Sequence, residues 1–350
     1  MVEAASAHEG GRESARIGST PLRPLRIRLG DRSVRLWLKL EAGNPYGSIK
    51  ARTAQALLAS LEANGELTPG SRVVESTSGN LGLALAGLCA ARGYRCTLVV
   101  EASTPRSSVD QMAAYGAEVV TAPEVAGGRT IDARLAMVAE ILAQDPTAVW
   151  TNQYTNPANP GVHESQTAPE LAGAAPEGGW DTVAVAVSTG GTLAGISRYF
   201  RRHLAATRII AVDAVGSAAL GGTPADRPFK LAGFGSGRRS QFIERHHWDD
   251  VVHLRDADAA EACARIRKRS GISLGGSAGA VVLASVLRAV SDPTARELVC
   301  VCPDSAEKYT QLRSAGPTGP GRADENIADA LDLLDLVQPD ETLPRERAHA

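Results

Sequence analysis

Between residues 72 and 301 the chain alternates short valine-rich runs with longer stretches rich in alanine and leucine, and that alternation leaves few folds open. Residues 72–75, 96–100, 119–120, 148–150, 182–187, 209–212, 251–254 and 298–301 are short and mostly apolar, the signature of strands buried on both faces. Segments 81–92, 107–115, 131–144, 193–205, 256–270 and 281–290 lie between or beside them and have helical composition. Strand, helix, strand at this spacing demands parallel pairing with right-handed crossovers. The expected fold class is α/β: two units, each with a mainly parallel twisted sheet, and a cleft between them. Ahead of this alternation, residues 26–29 and 34–40 read as a hairpin around Gly30-Asp31.

The connection between hairpin and alternation carries the first chemical signal. A tight Asn44-Pro45-Tyr46-Gly47 turn delivers Lys50 onto the start of an Ala/Leu-rich helix at 51–64. Lysine forms a reversible imine with an aldehyde cofactor only when its amine is partly deprotonated, and a helix N-terminus with partial burial lowers its pKa. Taken alone, the same residue reads first as a solvated surface lysine.

Three glycine-rich turns narrow the choice. Ser76-Thr77-Ser78-Gly79-Asn80-Leu81-Gly82 runs from a strand into a helix, so backbone N–H groups and the Thr77 and Ser78 hydroxyls converge where a substrate carboxylate fits, with the Asn80 amide available to a phenolate oxygen. An ordinary helix cap is the alternative. Ser188-Thr189-Gly190-Gly191-Thr192 repeats the arrangement with three hydroxyls and suits the phosphate of a small cofactor. It lacks both the Walker ending and the dinucleotide G-x-G-x-x-G spacing. In Gly275-Gly276-Ser277-Ala278-Gly279 a serine stands among glycines, where its hydroxyl can meet a pyridine nitrogen without protonating it. That choice suits elimination from Cβ. The spacing also matches a hydrolase nucleophile elbow, although no triad histidine announces itself.

Composition excludes other classes. Hydrophobic residues make up 43% and charged residues 22% of 350, with a net charge of −2, so bulk charge directs the chain to neither nucleic acid nor a membrane surface. No apolar run reaches the roughly 18 residues of a spanning helix, and residues 1–13 lack an apolar signal core. Cys89, Cys96, Cys263, Cys300 and Cys302 form no C-x-x-C pair and read as small buried hydrophobes in a reducing cytoplasm; no metal site is expected.

In this order the motifs resemble the pyridoxal-phosphate enzymes of the cysteine synthase family, fold type II. The resemblance runs from about Ile17 to Tyr309 and includes Gly18-Ser19-Thr20-Pro21-Leu22, Asn44-Pro45 with Lys50, Thr77-Ser78-Gly79-Asn80, residues 152–160, Ser188 to Thr192, Gly275 to Ala280, and Pro303-Asp304-Ser305. It implies Lys50 as the cofactor-bound lysine that also moves the substrate Cα proton. It further implies Asn80 at the cofactor 3′-oxygen, Ser188, Thr189, Gly190, Gly191 and Thr192 around its phosphate, and Ser277 at its pyridine nitrogen. Thr77, Ser78, Gly79 and Gln153 are implied at the amino-acid carboxylate. By the same resemblance a large cofactor-binding domain takes residues 14–43 and 157–315, a small closing domain takes 44–156, and the protein is a homodimer. Residues 316–350 are expected to form a flexible tail, with a helix possible at 327–337.

Two departures narrow the activity. Lys50-Ala51-Arg52 stands where the family has Lys-Asp-Arg, and Leu81 replaces the second threonine of Thr-Ser-Gly-Asn-Thr-Gly. Ser-Gly-Asn-Leu-Gly resembles the branch that makes N-(2-amino-2-carboxyethyl)-L-glutamate, a 2,3-diaminopropionate precursor, from O-phosphoserine and glutamate. Arg238 and Arg239 fall in a loop that the family sets at the cleft mouth, where guanidinium groups suit a phosphate leaving group or a dicarboxylic second substrate. The expected reaction is β-replacement on O-phospho- or O-acetyl-L-serine through an aminoacrylate. Sulfide or thiosulfate addition, a serine/threonine dehydratase and a non-catalytic paralogue remain as alternatives.

Overall fold

Strands β1 (Leu22–Leu29) and β2 (Arg32–Leu40) form the antiparallel hairpin, turning at Gly30 in the left-handed region, φ +61°. A computed structural model describes residues 16–124, 130–222, 231–309 and 324–340; the N-terminal segment 1–13, expected to be disordered, lies outside them. After the hairpin come α1 (Lys50–Ala63), β3 (Arg72–Ser76), α2 (Asn80–Arg92), β4 (Arg95–Val100), α3 (Arg106–Ala114), β5 (Glu118–Thr121), α4 (Thr130–Gln144) and β6 (Val149–Trp150). Next follow α5 (Ala158–Val162), α6 (Ala168–Gly173), β7 (Thr182–Ala186), α7 (Gly191–His203), β8 (Arg208–Ala214), β9 (Asp250–Leu254), α8 (Asp256–Ser270), α9 (Gly276–Ser291) and β10 (Glu297–Cys302). The last elements among the described residues are α10 (Glu325–Leu334) and β11 (Gln338–Pro339).

Among the described residues these strands make two sheets. One has seven strands in the order β11-β1-β2-β10-β7-β8-β9, and the other four, β5-β4-β3-β6. Pairing from β2 through β10, β7, β8 and β9 is parallel, as is all of the smaller sheet. Both faces of each sheet are covered, which is why the strands read as continuous apolar runs. In β2, Leu36 and Leu38 face the layer of α8, α9 and α10, while Trp37 faces α6 and α7. In β10, Cys300 and Cys302 take the first side, Val299 and Val301 the second. All five cysteines are buried and free, Cys263, Cys300 and Cys302 in the larger core, Cys89 and Cys96 in the smaller.

Two stretches go beyond the sequence reading, one expected to be a tail and one for which no element was expected. Residues 324–340, expected to belong to a flexible tail, are folded: Ala330, Leu334 and Val337 are buried in the larger core, and β11 pairs antiparallel with β1. The helix possible at 327–337 is present as α10, and its apolar stripe completes the layer over α8 and α9. The second is residues 158–173, where Pro160, Gly161 and Pro169 punctuate the sequence. They form α5 and α6 joined by a π-helical turn, His163–Thr167.

Candidate active site

The turn before α1 is held by a buried charge network. Arg52, one helical step beyond Lys50, is fully buried and gives its guanidinium to Glu41 (Nε to Oε2, 2.8 Å) and Glu170 (Nη1 to Oε1, 2.6 Å). Lys39 donates to Glu170 at 2.6 Å and to the Thr20 carbonyl at 2.7 Å. Asn44 donates to Glu41 (2.7 Å) and accepts the Gly18 N–H (2.8 Å). Two cations thus balance two anions, a condition for burying any of them. Burial alone would raise Glu170, but Arg52 and then Lys39 overcome it and hold its carboxyl down at about 2. Tyr46 (φ +66°) and Gly47 (φ +68°) close the turn in left-handed conformations, and the Tyr46 ring lies so close to Gly87 of α2 that a side chain there would overlap it.

Lys50 itself opens α1 half-buried, with no side chain capping the helix. Burial lowers its pKa to about 8, opposed by the charge of Glu75. Glu75 ends the apolar run of β3, wholly buried, and accepts from the Ser76 N–H (2.7 Å), the Gln153 N–H (3.1 Å), the Trp150 indole (3.3 Å) and the Thr151 hydroxyl. Burial raises its pKa despite these donors.

Of the predicted carboxylate residues, Thr77 is the helix cap that the bland reading anticipated: its oxygen accepts from Gly79 N (3.1 Å) and Gly82 N (3.0 Å). Its hydroxyl hydrogen remains a donor. Ser78 is only half-buried, and a Cβ at Gly79, φ +140°, would meet nothing within 4 Å. Gln153 donates to the Ser76 carbonyl at 2.8 Å, which ties the loop after β6 to the turn after β3. Asn80 donates to Asp304 Oδ2 at 2.7 Å and approaches the Tyr309 hydroxyl at 3.2 Å.

The second turn folds as a cradle. Gly190, φ +90°, caps α7 without any side-chain hydrogen bond, and a Cβ there would run into Ser240 and Ile243. One on Gly191 would run into Asn159. Ser188, Thr189 and Thr192 stay half-buried; the Ser240 hydroxyl takes the Thr189 carbonyl at 2.7 Å. His163, buried, lies 3.3 Å from the Thr192 hydroxyl and 3.4 Å from that of Thr53 on α1, so it joins cradle and lysine helix. Burial, then the charges of Lys50 and Arg52, keeps its imidazole neutral. Ser277 lies in the first turn of α9 and is buried. The hydrolase alternative fails here. Ser277 is not among the residues with a left-handed backbone, and Gly279 serves packing, since a Cβ would strike Ala259 and Cys263 of α8.

A cavity opens beside the cradle, lined by Ser188, Thr189, Asn152, Tyr154, Arg238 and Arg239. Both arginines are exposed at its edge. Arg134 of α4, 5% exposed, lies near Tyr154 and pairs with the Glu101 carboxylate at 3.9 Å, while its Nε and Nη1 have no hydrogen-bond partner among the described residues. Sequence reasoning missed Arg134, Glu75, His163 and the part played by Asp304. A charged residue on the apolar stripe of Ile131 and Val138, or ending the run of β3, was the available signal.

An uncapped helix N-terminus ringed with hydroxyls fits a phosphate monoester, and a lysine near pKa 8 fits an aldehyde. Both are demands of pyridoxal phosphate. The comparisons agree. A family model described as pyridoxal-phosphate dependent enzyme matches residues 14–304. The N-(2-amino-2-carboxyethyl)-L-glutamate synthase of Ralstonia nicotianae is 40% identical over 297 residues, 84% of this chain and 86% of that one. A cysteine synthase of Staphylococcus aureus is 33% identical over 294 residues, 84% of this chain and 93% of its own. Among solved structures, an O-ureido-L-serine synthase superimposes with a TM-score of 0.76 at 30% identity, covering 89% of this chain and 97% of the other.

Proposed function

Since the chain belongs to the pyridoxal-phosphate dependent enzymes and has the two-sheet α/β architecture of fold type II, we propose that it catalyses β-replacement on an activated L-serine, with O-phospho-L-serine as donor and the amine of L-glutamate as acceptor. The observation that carries this reading is the pair of exposed guanidinium groups on the wall of one cavity, Arg238 and Arg239. A dicarboxylic acceptor calls for such charge, and sulfide, small and singly charged, does not.

Bound pyridoxal phosphate supplies an electron-withdrawing ring that stabilises negative charge developing at the substrate Cα. Ser188, Thr189, Thr192 and the backbone of Gly190 and Gly191 hold its phosphate, Asn80 its ring oxygen, and Ser277 its ring nitrogen. Lys50, with an amine substantially free near pH 8, tethers the cofactor and takes the Cα proton. Thr77, Ser78, Gly79 and Gln153 bind the amino-acid carboxylate. Arg238 with Arg239 takes the side-chain carboxylate of the acceptor. The smaller half, residues 44–156, closes over the bound amino acid and excludes water. The working form is a cytoplasmic homodimer, a compartment in which five free thiols are stable.

The second reading is sulfide or thiosulfate as acceptor, favoured by similarity to cysteine synthases at 33% identity. Cofactor-loaded protein incubated with O-phosphoserine or O-acetylserine against glutamate, sulfide and thiosulfate, read by mass spectrometry, separates the two. A glutamate adduct as main product is expected; dominant cysteine or S-sulfocysteine defeats the proposal.

A further inference from the structure

The two residues after β10 touch three of the site's turns, the one before Lys50, the one at Asn80 and the one before Ser277. Ser48 and Asp304 form an antiparallel bridge, and Ile49 donates its N–H to the Pro303 carbonyl at 2.8 Å, so the two residues before Lys50 are fastened to this segment. Gly275 donates its N–H to the Asp304 carbonyl at 3.1 Å and lies so near the Asp304 carboxylate that a Cβ would overlap it. That contact fixes the turn two residues before Ser277. The Asp304 side chain, 3% exposed, accepts from the Tyr309 hydroxyl at 2.5 Å and from the Asn80 amide at 2.7 Å, both at Oδ2. Asn80 opens a helix of the smaller half, whereas Asp304 follows a strand of the larger, so their bond spans the cleft.

Asparagine can present either end of its amide to a ligand, and an anionic acceptor decides which. The Asp304 carboxylate takes one Asn80 N–H at 2.7 Å, and the Tyr309 oxygen accepts from the same nitrogen at a longer 3.2 Å. Asp304 therefore fixes the rotamer and polarises the amide, while the more weakly held N–H is the one a bound ligand can take over. Tyr309 shares the same oxygen and stays protonated, because burial and then the Asp304 charge raise its pKa. We infer that Asp304 is the positioning residue of this site, acting through Asn80 on the ring oxygen of the bound cofactor, with Tyr309 as its supporting donor. The inference rests on the reading of Asn80 as the residue at that oxygen.

The test is a double-mutant cycle on holoenzymes: wild type, N80A, D304N and N80A/D304N, each checked for folding by thermal melt. The readout is the ratio of the two near-ultraviolet and visible absorption bands of the bound cofactor between pH 6 and 9, which reports the proton on its ring oxygen and is independent of turnover. D304N keeps size and loses charge. It is expected to change the ratio about 3-fold to 10-fold in the direction of N80A, and to add less than about 1.5-fold on top of N80A. If N80A changes the ratio and D304N leaves it unchanged, the inference falls while the reading of Asn80 stands. If N80A changes nothing, both fall. If D304N shifts the ratio as much on top of N80A as alone, Asp304 does not act through Asn80 and the inference falls. Should D304N fail to fold, Y309F takes its place in the same cycle, with at least about a 2-fold change expected and its absence overturning the inference.

Discussion

An amine with a pKa of about 8 is roughly one tenth free at pH 7, against a few parts in ten thousand for an ordinary lysine. Because the deprotonated form is the one that reacts, cofactor loading of the unloaded protein is expected to accelerate as pH rises through about 8 and then level off, followed by the growth of visible absorption. Lys50→Ala is expected to remove that absorption and lower turnover by at least about 10³-fold with folding intact. Glu75 acts in the opposite sense on the same amine. Removing its charge in Glu75→Gln is expected to shift the pH at which loading accelerates downward, an acid shift that a loading-rate profile measures directly. At the cavity wall, Arg238→Ala and Arg239→Ala are each expected to raise the KM for glutamate about 10-fold and leave the first half-reaction with O-phosphoserine unchanged, which stopped-flow absorption separates from steady-state turnover.

The element that sets Lys50 is the start of α1, and its anchor is the four-membered charge network rather than a cap. Arg52→Ala leaves the buried Glu41 without its counter-charge and Glu170 with Lys39 alone, and is expected to cost about 3–5 kcal/mol by chemical denaturation. The network also gives an acid limit. Glu170 is depressed from its ordinary range to about 2, so its contribution is complete above about pH 4.5 and is lost as pH falls toward 2. Melting temperature is expected to fall across that window, and less steeply in Glu170→Gln. Elements of this kind were largely legible in the sequence, since a strand such as Glu297–Cys302 or a helix such as Asp256–Ser270 declares itself within its own few residues. The three turns were legible for the same reason, as local clusters of glycine and hydroxyl. What the sequence hid is pairing at distance. Asn80 meets Asp304 across 224 positions, and Arg52 meets Glu170 across 118; neither has a periodicity to read. Thr77 was legible by position and ambiguous by role, since a hydroxyl that caps a helix and one that donates to a carboxylate occupy the same turn.

At the scale of the molecule, residues 324–340 finish the larger half. They bury Ala330, Leu334 and Val337 and bring the Asp340 carboxylate to Arg26 and Arg35. Removing residues 324–350 is expected to lower the unfolding temperature by at least about 5 °C, the shift that roughly 2–3 kcal/mol produces in a chain of this size. Limited proteolysis of the shortened protein is expected to cut first in the exposed hairpin.

Strand β2 pairs with β1 on one side and on the other with β10, whose Glu297 lies 262 positions beyond Arg35. On the ribosome, the opening hairpin therefore waits for almost all of translation before its neighbour emerges, whereas the four strands of the smaller sheet lie within residues 72–150 and assemble as they are made. The birth order of the two halves is thus written in the topology, with the inserted half complete first and the enclosing half closed only when the final strands arrive.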